Sequence, residues 1–250
     1  REERKLTMGG GHSPHEPTEA MLQYIAAETV PVSGRLFLAV HESDAETAQL
    51  IGEFPYLYFF GSAIPEMYTP FCADFGPNKI TSVLSFCGYM RSLVQHPLLQ
   101  ERALIYYTST DAHHVTNSVF LVCCYLMLEE GFSPEDAVAT FEGVAGLPIV
   151  PFRDATWRKS TFDLTPVACL RGLQKAISFM FLDPSTFDVR GYHALHEVEA
   201  FDITRVTPKF VAFATPKDRA DEYTGVRAPA EHAQPFGAMG VTDVVRLSEE

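Results

Sequence analysis

Apolar residues fall into short blocks along the chain, and the spacing inside each block separates strands from helices. RLFLAV (35–40) and YLYFF (56–60) predict two strands joined by the acidic segment HESDAETAQLIGEF. In PNKITSVLSFCGYMRSLVQ, the positions Ile80, Val83, Leu84, Cys87, Met90 and Val94 recur at helical spacing, with Pro77 expected in the first turn. ALIYY, starting at Ala103, predicts a buried strand. The helix after it is apolar all round, which places it deep in the molecule. Gly131 is expected to end that helix, and Ser133 with Pro134 to begin the next as N-cap and first residue. Thr165-Pro166 repeats the device before PVACLRGLQKAISFMF, whose Leu170, Leu173, Ile177 and Met180 form a core face. KFVAFAT (209–215) and VTDVVRL (241–247) read as two further strands. Strands alternating with helices give an α/β fold with a largely parallel sheet flanked by helices.

Between these blocks the chain divides into three parts. Residues 1–20 are polar and unpatterned, and a flexible segment is expected over 1–30. The main domain is expected over 31–216. Residues 217–250 read as a linker and the start of a second domain, because VTDVVRL would be a buried strand and only Ser248, Glu249 and Glu250 follow it. The chain begins at Arg1, which fits a fragment or a processed protein.

Composition narrows the classes. With 46% apolar and 12% aromatic residues in 250, the chain can bury a sizeable core. A net charge of −13 disfavours nucleic acid as a partner. Cys72, Cys87, Cys123, Cys124 and Cys169 are odd in number, form no C-x-x-C and sit in apolar runs, which predicts reduced thiols in an intracellular protein, nuclear or cytoplasmic. Cys123 and Cys124 are helix neighbours and expected in the core. The longest apolar run, VFLVCCYLML, has ten residues, too few to span a membrane.

Residues 103–131 pose the chemical question. A strand, a polar loop and a helix N-terminus point N–H groups at an anion, yet YTSTDAHHVTNS contains no glycine, lysine, arginine or cysteine. Thr108, Asp111, His113, His114 and Asn117 are the side chains that would line such a loop. Asp111 could serve as a general acid, but a loop aspartate is expected rather to cap the following helix or close a turn. His113 and His114, with no adjacent serine or cysteine beside a plausible oxyanion hole, read as exposed loop histidines. A cysteine phosphatase needs a thiolate with an arginine six positions later. The residues six after the five cysteines are Asn78, Leu93, Glu129, Glu130 and Lys175, none of them arginine. His193-x-x-His196 with Glu197 and Glu199 resembles a metal cluster, but no further ligand is indicated and no metal site is assigned. Arg153 and Asp154 are expected to form an ion pair that orders their loop. Arg153, Asp154, Trp157 and Arg158 are the candidates for a domain interface, with Trp157 and Arg158 the aromatic and cation such a surface favours.

PIVPFRDATW followed by STFDLTPVACLRGLQKA resembles the amino-terminal half of the cell division cycle fourteen dual-specificity phosphatases. CADFGPNKI, YYTSTDAHHVTNSVFLV, GFSPEDAVATF, FLDPSTFDV and VTPKFVAFATP match in the same order over roughly residues 35–216, and VTDVVRL resembles the first strand of that family's catalytic half. The resemblance implies a non-catalytic, phosphatase-like domain in which 103–131 is a degenerate phosphate loop kept for packing. It implies a substrate groove whose family glutamates fall here on His193 and His196, with Glu197 and Glu199 as the nearest carboxylates. The implied partners are a phosphoprotein substrate and a catalytic domain outside this chain, with no cofactor. A chain lacking that domain is expected to self-associate. Two other functions stay open: a phosphatase-like pseudoenzyme that binds partners, and a hydrolase centred on the His-rich segment.

Overall fold

The computed structural model describes residues 17–70, 72–196, 203–216 and 227–247. The chain divides into two compact units, 1–175 and 176–250. The first unit opens with α1 (Glu19–Glu28) and β1 (Thr29–Ser33), where a flexible segment was expected. Thr18 caps α1 by accepting the Met21 N–H at 3.2 Å, and Met21 is buried. There follow β2 (Leu36–His41), α2 (Asp44–Glu53), β3 (Leu57–Phe60), α3 (Ile80–Gln95), β4 (Ala103–Ser109) and α4 (Ala112–Glu129). The acidic segment between the first two predicted strands is thus a helix, α2. Ser43 is its N-cap, accepting from the Glu46 N–H, and the Glu46 carboxylate takes the Glu42 N–H at 2.7 Å.

The sheet runs β1-β2-β4-β3, with β1 antiparallel to β2 and the other two pairs parallel. Its register sets Leu36 against Leu104 and His41 against Ser109, which brings the carboxyl ends of β2 and β4 side by side. Side chains alternate across the sheet as the pleat requires. Leu38, Phe60, Leu104 and Tyr106 face the larger core under α3 and α4, while Ala39, Leu57 and Ile105 pack with Met21 and Phe54 on the other face. With both faces covered, β4 reads as a continuous apolar run.

α3 buries Val83, Phe86, Cys87, Met90 and Leu93, the predicted stripe turned slightly. Its N-cap is Lys79, so Pro77 lies ahead of the helix rather than in its first turn. α4 is buried from Val115 to Leu126, as an all-apolar helix must be. Gly131 follows with φ 76°, and Ser133 caps α5 (Pro134–Ala139), as expected. A two-stranded ribbon, β5 (Phe152–Arg153) with β6 (Asp163–Leu164), precedes α6 (Pro166–Ser178). Leu170 alone of the predicted α6 face is fully buried. Met180 lies past the helix end and is 90% exposed, because the backbone turns left-handed there.

The second unit contains α7 (Val189–His196), the antiparallel pair β7 (Ile203–Arg205) and β8 (Val211–Phe213), and α8 (Ala233–Met239). The strand predicted at 209–215 is therefore shorter, and it pairs in its own ribbon rather than in the main sheet. Residues 241–247 form no strand and join no sheet among the described residues, and Val244, Val245 and Leu247 are exposed. All five cysteines are free thiols, with Cys87, Cys123 and Cys124 in the core. No described helix is long and apolar enough to cross a membrane.

Candidate functional site

β2 is followed by α2 on one face of the sheet and β4 by α4 on the other. A crevice forms where such neighbouring connections diverge. Two adjoin here at the carboxyl ends of the strands. One, about 340 Å³, lies between the ends of β2, β3 and β4 and is lined by His41, Glu42, Asp44, Glu66, Thr108 and Ser109 among others. The other, about 400 Å³, sits at the β4–α4 junction beside Glu66, Asp74, Ser109, Asp111, His113 and His114.

The junction itself is short. β4 ends at Ser109 and α4 begins at Ala112, so only Thr110 and Asp111 connect them. Asp111 is the N-cap, and its Oδ1 accepts the N–H groups of His113 at 2.9 Å and His114 at 3.0 Å. The His114 N–H chiefly, together with the neighbouring histidines, holds the Asp111 carboxyl below its ordinary range. An internal carboxylate therefore occupies the place at the helix N-terminus that an anionic ligand would take. This is the capping role expected of Asp111.

The polar residues behind the cap are consumed by the scaffold. Asn117 is fully buried; its Oδ1 accepts the Asn78 N–H and its Nδ2 donates to the Gly76 carbonyl, both at 3.3 Å. Thr116 accepts the Val150 N–H at 2.9 Å while donating to the Ala112 carbonyl at 2.8 Å. These bonds tie two loops to the start of α4. Thr108 is nine-tenths buried in the crevice wall.

His113 is exposed as expected, but it lies in the first turn of α4 rather than in a loop, and its ring stacks on Phe75 with centroids 3.9 Å apart and planes at 10°. His114 departs from expectation. Its Nδ1 lies 2.9 Å from the Ser109 hydroxyl, so the histidine does have a serine beside it. The sequence hid this pair, because the two residues lie five apart across a strand–helix junction.

A third histidine escaped the sequence reading. His41, at the end of β2, is 5% exposed and held by both ring nitrogens: Nδ1 to the Thr47 hydroxyl at 2.8 Å and Nε2 to the Tyr24 hydroxyl at 3.0 Å. Burial pushes its pKa below the usual value, with Glu46 partly opposing. A polar residue closing an apolar strand was the available signal. Electrostatically the two crevices are acidic. Glu42, Asp44, Glu66, Asp74 and Asp111 line them, with no lysine or arginine among the described lining residues. Asp74, which accepts from the Tyr68 hydroxyl, is held at about 2 chiefly by that bond.

The expected Arg153–Asp154 ion pair is not formed. Arg153 Nη2 instead donates to the carbonyls of Thr156 at 3.3 Å and Arg158 at 2.7 Å, and Asp154 is exposed. These two bonds order the loop without the neighbouring acid, while the buried Arg153 Nε has no hydrogen-bond partner among the described residues. Trp157 is 79% exposed and Arg158 is exposed beside it. His193 and His196 lie on α7, in the second unit, and His193 is half-buried. Glu197 and Glu199 lie outside the described residues. Among the described residues no group of three or more His, Cys, Asp or Glu side chains could hold a metal ion.

Residues 31–176 match the family model described as the N-terminal half of dual specificity protein phosphatase. Among curated relatives, the chain is 32% identical over 187 residues to Dual specificity protein phosphatase CDC14A of Homo sapiens, covering 74% of this chain and 32% of the relative. The Mus musculus protein of the same name is 30% identical over 197 residues, 78% of this chain and 33% of the relative. Tyrosine-protein phosphatase CDC14 homolog of Schizosaccharomyces pombe is 30% identical over 188 residues, 74% and 35% respectively. The chain thus spans about a third of the length of these relatives. With most of the main sheet, α3 to α5 and most of α6 inside the matched segment, the chain belongs to the CDC14 dual specificity phosphatases, and what it corresponds to is their N-terminal half.

Proposed function

We propose that this chain is the non-catalytic, substrate-recognition half of a dual-specificity protein phosphatase, and that phosphate-ester cleavage belongs to a Cys-x5-Arg loop outside it. One observation carries this reading: the anion position at the N-terminus of α4 is filled by the Asp111 carboxylate. Cleavage through a cysteine requires N–H groups free to hold phosphoryl oxygens and an arginine to clamp them. Here two of those N–H groups are engaged, the walls carry five carboxylates, and no cysteine is followed six residues later by arginine. Two negative charges about 4 Å apart repel by roughly 4 kcal/mol at an effective dielectric of 20, so a phosphate dianion is excluded from this crevice.

The direct test is an aryl phosphate assay on the purified chain, with the expected result of no turnover above buffer. Turnover that persists through successive purification steps and tracks the protein peak would overturn the assignment.

Recognition of basic substrate residues follows from the same reading. By the family resemblance, His193 and His196 stand where a carboxylate would attract a lysine, and histidine supplies no carboxylate. His193→Glu with His196→Glu should therefore raise affinity for a phosphopeptide with lysine after phosphoserine-proline. Isothermal titration of wild type and double variant decides it; identical affinities would remove these positions from the groove.

A further inference from the structure

We propose that Ser109 and His114 form a nucleophile–base pair able to attack neutral or cationic acyl electrophiles, a reactivity separate from phosphate-ester cleavage. The geometry comes first. The Ser109 Oγ and the His114 Nδ1 are 2.9 Å apart, within the reach a general base needs. Neither group is free to drift. Ser109 is the last residue of β4, its backbone in register with His41, while the His114 backbone is pinned by the bond from its N–H to Asp111. Both side chains are half-buried, and Ser109 lies on the wall shared by the two crevices, so a ligand in either can reach it.

The charge of the walls chooses the electrophile. Glu42, Asp44, Glu66, Asp74 and Asp111 line the two crevices that meet at Ser109, with no lysine or arginine among the described lining residues, which repels phosphate esters and carboxylates and admits uncharged or cationic esters.

The reaction balances without any cofactor. With His114 carrying its proton on Nε2, Nδ1 takes the Ser109 proton as Oγ bonds to the ester carbonyl carbon. The tetrahedral intermediate collapses, the carbon–alkoxide bond breaks, and the same proton passes to the departing alcohol. Water then adds to the acyl carbon with its proton going to Nδ1, and Nδ1 returns that proton to Ser109 Oγ as the carbon–Oγ bond breaks and the carboxylic acid is released.

The chain is treated with an uncharged fluorophosphonate probe, in which Oγ displaces fluoride, and the labelled residue is located by tandem mass spectrometry. Label is expected on Ser109, abolished in Ser109→Ala. In His114→Ala it should form about 100-fold more slowly, with part of the rate restored by added imidazole. Far-ultraviolet circular dichroism confirms that each variant is folded, and the position of the label on wild type needs no variant at all. Absence of label on Ser109, under conditions that label a control serine hydrolase, would overturn the proposal. So would wild-type labelling kinetics in folded His114→Ala. Neither outcome bears on the aryl phosphate assay, which tests a different electrophile.

Discussion

Met180 has a φ of 57°, the left-handed region that a residue with a Cβ occupies at a cost of about 1–2 kcal/mol. It closes α6: the Met180 N–H donates to the Ile177 carbonyl at 3.0 Å and the Phe181 N–H to the Ala176 carbonyl at 2.8 Å, the paired bonds of a Schellman end. Its side chain is almost wholly exposed, so little packing offsets the strain. Met180→Gly is therefore expected to stabilise the protein by about 0.5–1 kcal/mol, part of the gain being lost to the looser unfolded chain. A rise in the urea midpoint at unchanged slope is the check. Helical spacing alone put Met180 on the core face because no glycine marks the stop. His41 supplies the second expectation at this scale. Folded His41 resists protonation, so the unfolded chain binds that proton more readily and stability is full above the ordinary pKa of 6.5. As pH falls below that value the contribution is progressively lost. Urea midpoints measured downward from pH 7.5 should decline less steeply in His41→Gln than in wild type, and equal slopes would deny His41 the role.

At the scale of elements, the legible parts were those in which one side-chain pattern decides the outcome. β4 and α4 are apolar on every side and were visible for that reason; Ser133 and Thr165 announced their helices by capping. α2 was hidden because it buries only Thr47 and presents a largely polar surface. β1 was hidden by Pro31 and by the irregular register between Pro31 and Ser33, which interrupt the alternation expected of a strand. The Ser109–His114 pair depends on how β4 meets α4, which spacing in the sequence cannot supply. That junction carries its own prediction. Asp111→Ala removes the acceptor for two N–H groups and is expected to cost about 1 kcal/mol. The vacated helix N-terminus should then accept an anion. In a thermal melt, inorganic phosphate should raise the midpoint of Asp111→Ala more than that of wild type. An equal response would mean that the carboxylate is not what holds the anion position.

For the whole molecule, burial is distributed very unevenly, and local stability should follow it. Among the described residues, Ile203 and His232 are the buried ones beyond position 175, whereas β2, β4 and α4 contribute a dense run of them. The second unit's β7 and β8 pair through a three-residue register. Such short ribbons, with few apolar contacts beneath them, open at little cost, while amides of a sheet covered on both faces exchange only through global unfolding. The sequence invited a different picture, in which VTDVVRL was a buried strand. An apolar run becomes a strand only where a partner edge meets its N–H and C=O groups, and 241–247 join no sheet among the described residues. Native-state hydrogen exchange followed by mass spectrometry is expected to show the slowest amides in Leu104–Tyr107 and Val119–Leu126. Those of Ile203–Arg205, Val211–Phe213 and Ala233–Met239 should exchange orders of magnitude faster and with little dependence on global stability. Protection in the second unit equal to that of β4 would mean that this unit draws its stability from more than its own core.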